Sequence, residues 1–298
     1  MFKVSRIGLS IGVAILSAAL QAAWNMIVGA TNGATAVVML LLFSTALSPA
    51  DSAGKDTDGI IVKPIPGKMV VLTFDDSCIS HATYVGPLLK KYGFGATFYV
   101  NECMDRKTSM SWGQIKGLED MGFEIGNHSS HHGNMGKMST EACIPEMTGI
   151  EENCVKNKIS KPTTFCWPVY SVNKGLFPRM LSNGYLFARG GVERPYVPTT
   201  DNPFDVPSFT IYNDILQKSP NAFAERAMRA VPGTFVVFCF HGVPDLGHKG
   251  VSTDPVLFEK LMEYLKVNNF TVIAMRDMAK YVDATKAYRL MAVGDDHQ

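Results

Sequence analysis

KMVVLTFDDSC, residues 68–78, decides the reading of this chain. Its first part is apolar and β-branched without a polar alternation, the composition of a strand buried on both faces. The run stops abruptly on two adjacent carboxylates, Asp75 and Asp76. Paired acids in a closed pocket need a cation between them or one raised pKa, so the strand is expected to end at a site.

The histidines fall where such a site needs them. His128, His131 and His132 follow the short run GFEIGN, and His241 ends TFVVFCF. A single histidine is more often an ordinary solvated or hydrogen-bonded side chain than a ligand. Four of them beside two aspartates, all at the downstream ends of apolar runs, point to metal chemistry. Asp76, His128 and His132 supply the three ligands of a catalytic zinc, with the two histidines four residues apart across a helical turn and His131 as the competing ligand. A metal-bound water would then lose its proton to Asp75, and His241, across the mouth, would protonate a leaving group.

Seven strands are expected: 69–74, 95–100, 122–127, 163–168, 185–189, 234–240 and 270–275. Between them lie helical segments at 81–92, 111–121, 140–156, 173–183, 221–230 and 254–268, with Ser80, Ser139 and Thr253 as caps. This alternation predicts an α/β fold, a distorted (β/α) barrel of about seven parallel strands. The chemistry of such barrels sits at the carboxyl ends of the strands, where Asp75, Asp76, His128, Pro168, Tyr170 and His241 all fall. The Pro- and Asp-rich stretch 190–219 reads as a loop over that rim.

TFDD (73–76), HSSHH (128–132) and FHG (240–242) resemble the first, second and fifth motifs of the polysaccharide deacetylase superfamily, the carbohydrate esterases with a NodB-type domain. The resemblance runs over roughly residues 65–285. It implies that Asp75 is the base, that Asp76, His128 and His132 bind a divalent metal, usually zinc with cobalt, nickel or manganese as substitutes, and that His241 is the acid. It also implies the reaction, removal of acetyl groups from N- or O-acetylated sugars. The third motif normally carries an arginine where this chain has Cys166 in CWPVY; a backbone N–H at Val169 would still steady an oxyanion. The fourth motif's aspartate and tryptophan are missing from YLFARGGVERP, and Arg189, or else Arg276, is expected to orient Asp75 instead. The chain resembles a divergent bacterial branch with HGVPD after the fifth motif, in which Trp167, Tyr170, Asp245 and His248 are candidate substrate contacts.

Composition sets the surroundings. A net charge of +1 with 18% charged residues offers no basic surface for nucleic acid. Residues 1–50 carry Lys3 and Arg6 before apolar runs at 7–24 and 34–47, so a signal peptide or membrane anchor and an extracytoplasmic location are expected. A linker is expected at 51–62, the catalytic domain at 63–285 and a tail at 286–298. None of the six cysteines forms a C-x-x-C pair, and Cys78 and Cys103, near the rim, read as inert rather than nucleophilic. Rival readings are a facial-triad iron oxygenase, a catalytically inactive carbohydrate-binding barrel, and a metal hydrolase of a non-sugar amide.

Overall fold

The computed structural model describes residues 58–102 and 107–295. The expected signal or anchor segment and Cys103 lie outside the described residues. Among those described, no helix is long and apolar enough to cross a membrane.

The central strand is β1 (Met69–Phe74), every residue of which is buried. One edge pairs in parallel with β7 (Val236–Phe240), Val70 to Phe74 against Val236 to Phe240. The other edge is shared: β8 (Thr271–Ile273) takes its first half and β2 (Thr97–Val100) its last two residues. From β2 the parallel ladder continues through β3 (Glu124–Asn127), β4 (Thr164–Cys166) and β5 (Phe187–Arg189). A two-residue strand, β6 (Phe209–Thr210), lies on β7. A lone parallel bridge, Arg189 to Val206, spans the gap between β5 and β6. The result is a parallel (β/α) arrangement curved into a distorted, incompletely hydrogen-bonded barrel.

Sequence runs foretold seven of these strands but not β6, which is too short and too polar in context to show a period. It lies inside the stretch expected to be a loop, as does α5 (Asn213–Lys218). The other helices are α1 (Gly86–Tyr92), α2 (Trp112–Asp120), α3 (Thr140–Lys156), α4 (Phe177–Ser182), α6 (Ala222–Ala227), α7 (Pro255–Val267) and α8 (Ala284–Asp295). A π-helical turn, His81–Val85, leads into α1. Ser139 caps α3 as expected, its Oγ accepting from Ala142 N. Ser80 instead accepts from Val243 N, and the cap of α7 is Asp254 rather than Thr253.

Two-residue alternation explains why β1 has no polar face. Val70, Leu72 and Phe74 point outward into a core with Leu88, Leu89, Ile115, Leu118, Phe258 and Met262 of the surrounding helices. Met69 and Val71 point into the barrel, against Phe187, Val206 and Val237. Both faces being covered, an uninterrupted apolar run is what the strand requires.

The domain edges differ from expectation. Ile60 is buried and Ile61 forms an antiparallel bridge with Val282, so the domain takes in residues assigned to a linker. The expected tail is α8, whose Ala287 is buried and whose Tyr288 ring meets Phe177 and Phe204. Spaced apolar residues on a short polar helix were the only cue.

Candidate active site

The same alternation builds the site. Continuing the inward parity of Met69, Val71 and Thr73 places Asp75 inside the barrel mouth; on the neighbouring strands it does the same for Asn101, His128, Cys166, Arg189, Cys239 and His241. All of these except His241 are buried to 2% exposure or less, and Asp75 is 3% exposed. Together with His132, Val169 and Tyr170, the residues Asp75, His128 and His241 line a cavity of about 360 Å³.

Asp76 Oδ1 lies 3.5 Å from His128 Nε2 and 3.4 Å from His132 Nε2, and Asp76 Oδ2 lies 3.7 Å from His241 Nε2. One ligand atom from each of Asp76, His128 and His132 falls within 4.8 Å of the others. Asp76 turns away from the strand in the left-handed region, φ 70°, and so faces the histidines while Asp75 stays inside. Asn101 Nδ2 steadies it at 3.1 Å. The two histidines do not share a helical turn, as their spacing suggests. Residues 128–134 are irregular, and left-handed Ser129 (φ 59°) and His132 (φ 53°) fold the chain back so that both rings converge. His131 points away to Glu146, 2.8 Å, and is exposed; it is not part of the group.

This donor set fits a divalent cation. His128 Nδ1 donates to the Cys166 carbonyl at 2.9 Å, which leaves the Nε2 lone pair toward Asp76. Two imidazoles and a carboxylate with a cavity on the remaining side match the open sites of catalytic zinc.

Asp75 is served differently. Burial pushes its carboxyl pKa up, and Arg189, then His128 and His241, outweigh that, holding it below the ordinary value. Arg189 donates to Asp75 Oδ2 from the fully buried end of β5. Its ring neighbours are Tyr99 and Tyr170, with the guanidinium 5.8 and 5.5 Å from their centroids. Arg276 is elsewhere, donating to Gly122 O. Cys166, in the place of the third-motif arginine, is the ladder partner of Arg189.

Other expected contacts resolve in both directions. Val169 (φ 47°) and Tyr170 (φ 57°) form a left-handed turn at the cavity wall. Trp167 is among the residues around the cavity, but its indole is fully buried, donating from Nε1 to Phe204 O, because the residue after inward Cys166 must point outward under the helices. Asp245 accepts from Gly247 N, His248 N and Cys78 Sγ and organises the loop after His241. His248 is exposed and does not line the cavity.

One functional residue escaped sequence reading. His81, fully buried against Phe74 and Phe98, places Nε2 3.1 Å from the His241 carbonyl and fixes that turn. Burial lowers its pKa to about 4, so it is neutral and Nε2–H donates. Only its position one turn into a helix next to the aspartates hinted at it. Tyr212, Ile215 and Val251 of the cavity wall were likewise hidden in the long connection and beyond.

An irregular (β/α) barrel with an Asp-His-His group that could hold a cation at its mouth is the class that fold and site define. Residues 63–188 match the model of the polysaccharide deacetylase family, the same family that the motifs of the chain resemble. A bifunctional xylanase/deacetylase of Pseudobutyrivibrio xylanivorans is 29% identical over 145 residues, 48% of this chain. The match spans only 22% of that relative's length. Among solved structures, a chitin deacetylase of Colletotrichum lindemuthianum superposes with a TM-score of 0.53 at 19% identity, covering 74% of this chain and 92% of that one. A variant of the peptidoglycan deacetylase PdaC of Bacillus subtilis gives 0.50 at 16%, covering 78% and 97%. These two support the fold.

Proposed function

We propose that this chain is a metal-dependent hydrolase that removes acetyl groups from N- or O-acetylated sugars of a polysaccharide or oligosaccharide. The observation that carries the reading is the convergence of Asp76, His128 and His132 beside Asp75 and His241 on one cavity. When bound by those three, a divalent cation, zinc being the best match, supplies Lewis acidity that makes a nearby water easier to deprotonate and an acyl carbonyl more electrophilic.

The chain's own residues supply the rest. Asp75, kept ionised by Arg189, takes the proton from the attacking water. His241 gives a proton to the departing amine or alcohol. The Val169 N–H, presented by its left-handed turn, steadies the acyl oxygen as negative charge develops there. The near-complete burial of Asp75 and His128 keeps competing water away and strengthens each of these contacts.

The curated relative's name couples deacetylase to xylanase, and the two structural neighbours act by name on chitin and peptidoglycan, so acetylated glycans are the first substrates to try. The two apolar runs at the start of the chain support a location outside the cytoplasm, where such glycans are met. Acetate release is measured on the full chain after stripping and reloading with zinc or cobalt, beside Asp75→Asn. Metal-dependent release lost in the variant supports the reading. Stoichiometric zinc without acetate from any glycan overturns it.

A further inference from the structure

The Asp75 carboxylate is held at one oxygen only. Oδ2 accepts from Arg189 Nη2 and faces two thiols, Cys166 Sγ at 3.6 Å and Cys239 Sγ at 3.4 Å. Oδ1, also buried, has no hydrogen-bond partner. The three donors come from inward positions on three strands, β4, β5 and β7, and each is fully buried. Arg189 also donates to Cys166 Sγ, and of the two acceptors in reach of that thiol's own proton the Asp75 carboxylate, at 3.6 Å, is charged and nearer than the Trp167 carbonyl, at 3.8 Å. Cys239 extends the network to the cavity wall: its sulfur lies 3.4 Å from Tyr170 Oη, which in turn meets Thr210 Oγ1 at 2.7 Å.

A buried free cysteine is ordinarily a small apolar filler. That account does not cover two of them aimed at one ionised oxygen. An apolar neighbour would leave a buried carboxylate poorly solvated, whereas an S–H bond to a charged acceptor favours its ionised form and fixes its direction. Neither thiol is placed to be a nucleophile. Each is shut off from solvent beside a negative charge, conditions that keep the proton on sulfur.

We propose, building on the hydrolase reading above, that Cys166 and Cys239 are positioning residues whose thiols, with Arg189, clamp Asp75 Oδ2 and leave Oδ1 as the oxygen that takes the proton. In that step an O–H bond of the attacking water breaks, its proton bonds to Oδ1, and the oxygen keeps the electron pair and adds to the acyl carbon. Tyr170 then couples the cavity wall to the clamp through Cys239.

The test compares Cys166→Ala and Cys239→Ala with Cys166→Ser and Cys239→Ser, which keep a donor. Each alanine is expected to lower kcat for acetate release about three- to tenfold with KM and bound zinc unchanged, and serine to stay within about twofold of the original. Alanine variants at full kcat, or serine variants as slow as alanine with normal zinc content, overturn the proposal. A second readout needs no turnover: infrared spectra of the S–H stretch, with the two bands assigned from the serine variants. Asp75→Asn should shift both bands as the charged acceptor disappears; unmoved bands overturn the proposal. Failure of the unaltered protein to release acetate counts against the hydrolase reading alone, because the infrared shift decides the thiol contacts in either case.

Discussion

The two halves of the barrel mouth were built under different constraints. On the cation side, Asp76, His128 and His132 stand where the family's motifs put them, at the ends of β1 and β3. On the base side, Cys166 replaces the arginine of the motif, and the guanidinium arrives from Arg189 on the next strand. A ligand must place one lone pair at one point, so its residue cannot migrate. A supporting cation need only reach a carboxylate. Register partners on adjacent strands are roughly 4.8 Å apart, well within the reach of an arginine, so either rung of the ladder can carry it.

The largest effect should come from the cation side. Asp76→Ala is expected to abolish metal binding and lower acetate release at least about a thousandfold, as should chelation, with zinc restoring only the unaltered protein. Metal content measured beside activity checks this, and stoichiometric zinc in Asp76→Ala would break the comparison on that side.

Next in size is the base side. Arg189→Met removes the main compensating charge from buried Asp75 and should cost about 3–5 kcal/mol of stability at neutral pH and about a hundredfold in activity. The double variant Arg189→Met with Cys166→Arg returns the guanidinium to β4 and should recover activity to within about tenfold of the original. No recovery, read by acetate release and denaturant unfolding, would show that the two rungs are not equivalent.

His81 gives a smaller, pH-dependent effect. Its folded pKa, about 4, lies below the unfolded value near 6.5. A histidine depressed in this way contributes stability that is fully present above about pH 6.5 and is lost as pH falls toward 4, because the unfolded chain takes up the proton first. The loss amounts to about 3 kcal/mol over that window, and unfolding curves of His81→Phe should show a correspondingly flatter slope between those pH values. Smallest of all, Trp167→Phe should lower stability by about 1 kcal/mol through its lost bond to Phe204 O and leave KM unchanged. A several-fold rise in KM would return Trp167 to the substrate.

Much of this was legible in the chain because parallel strands covered on both faces write themselves as apolar runs. Seven strands and the four anchoring residues Asp75, Asp76, His128 and His241 follow from where those runs stop. Parity along the same runs also separates Cys166 from Trp167, inward from outward, once the first inward residue is fixed. The misreadings fall where no period exists. β6 has two residues, and the 128–134 segment turns by left-handed residues rather than by a helix.

By itself the sequence determined the strand ends, and with them that Asp75, Asp76, His128 and His241 stand at one rim, because these placements depend on residue type and local period. Tertiary structure alone decided what surrounds them: that Arg189 and not Arg276 reaches Asp75, that two thiols close on the same oxygen, and that His81 sits beneath His241. Those contacts join residues separated by 91 to 164 positions on different elements, and only the tertiary fold brings them together.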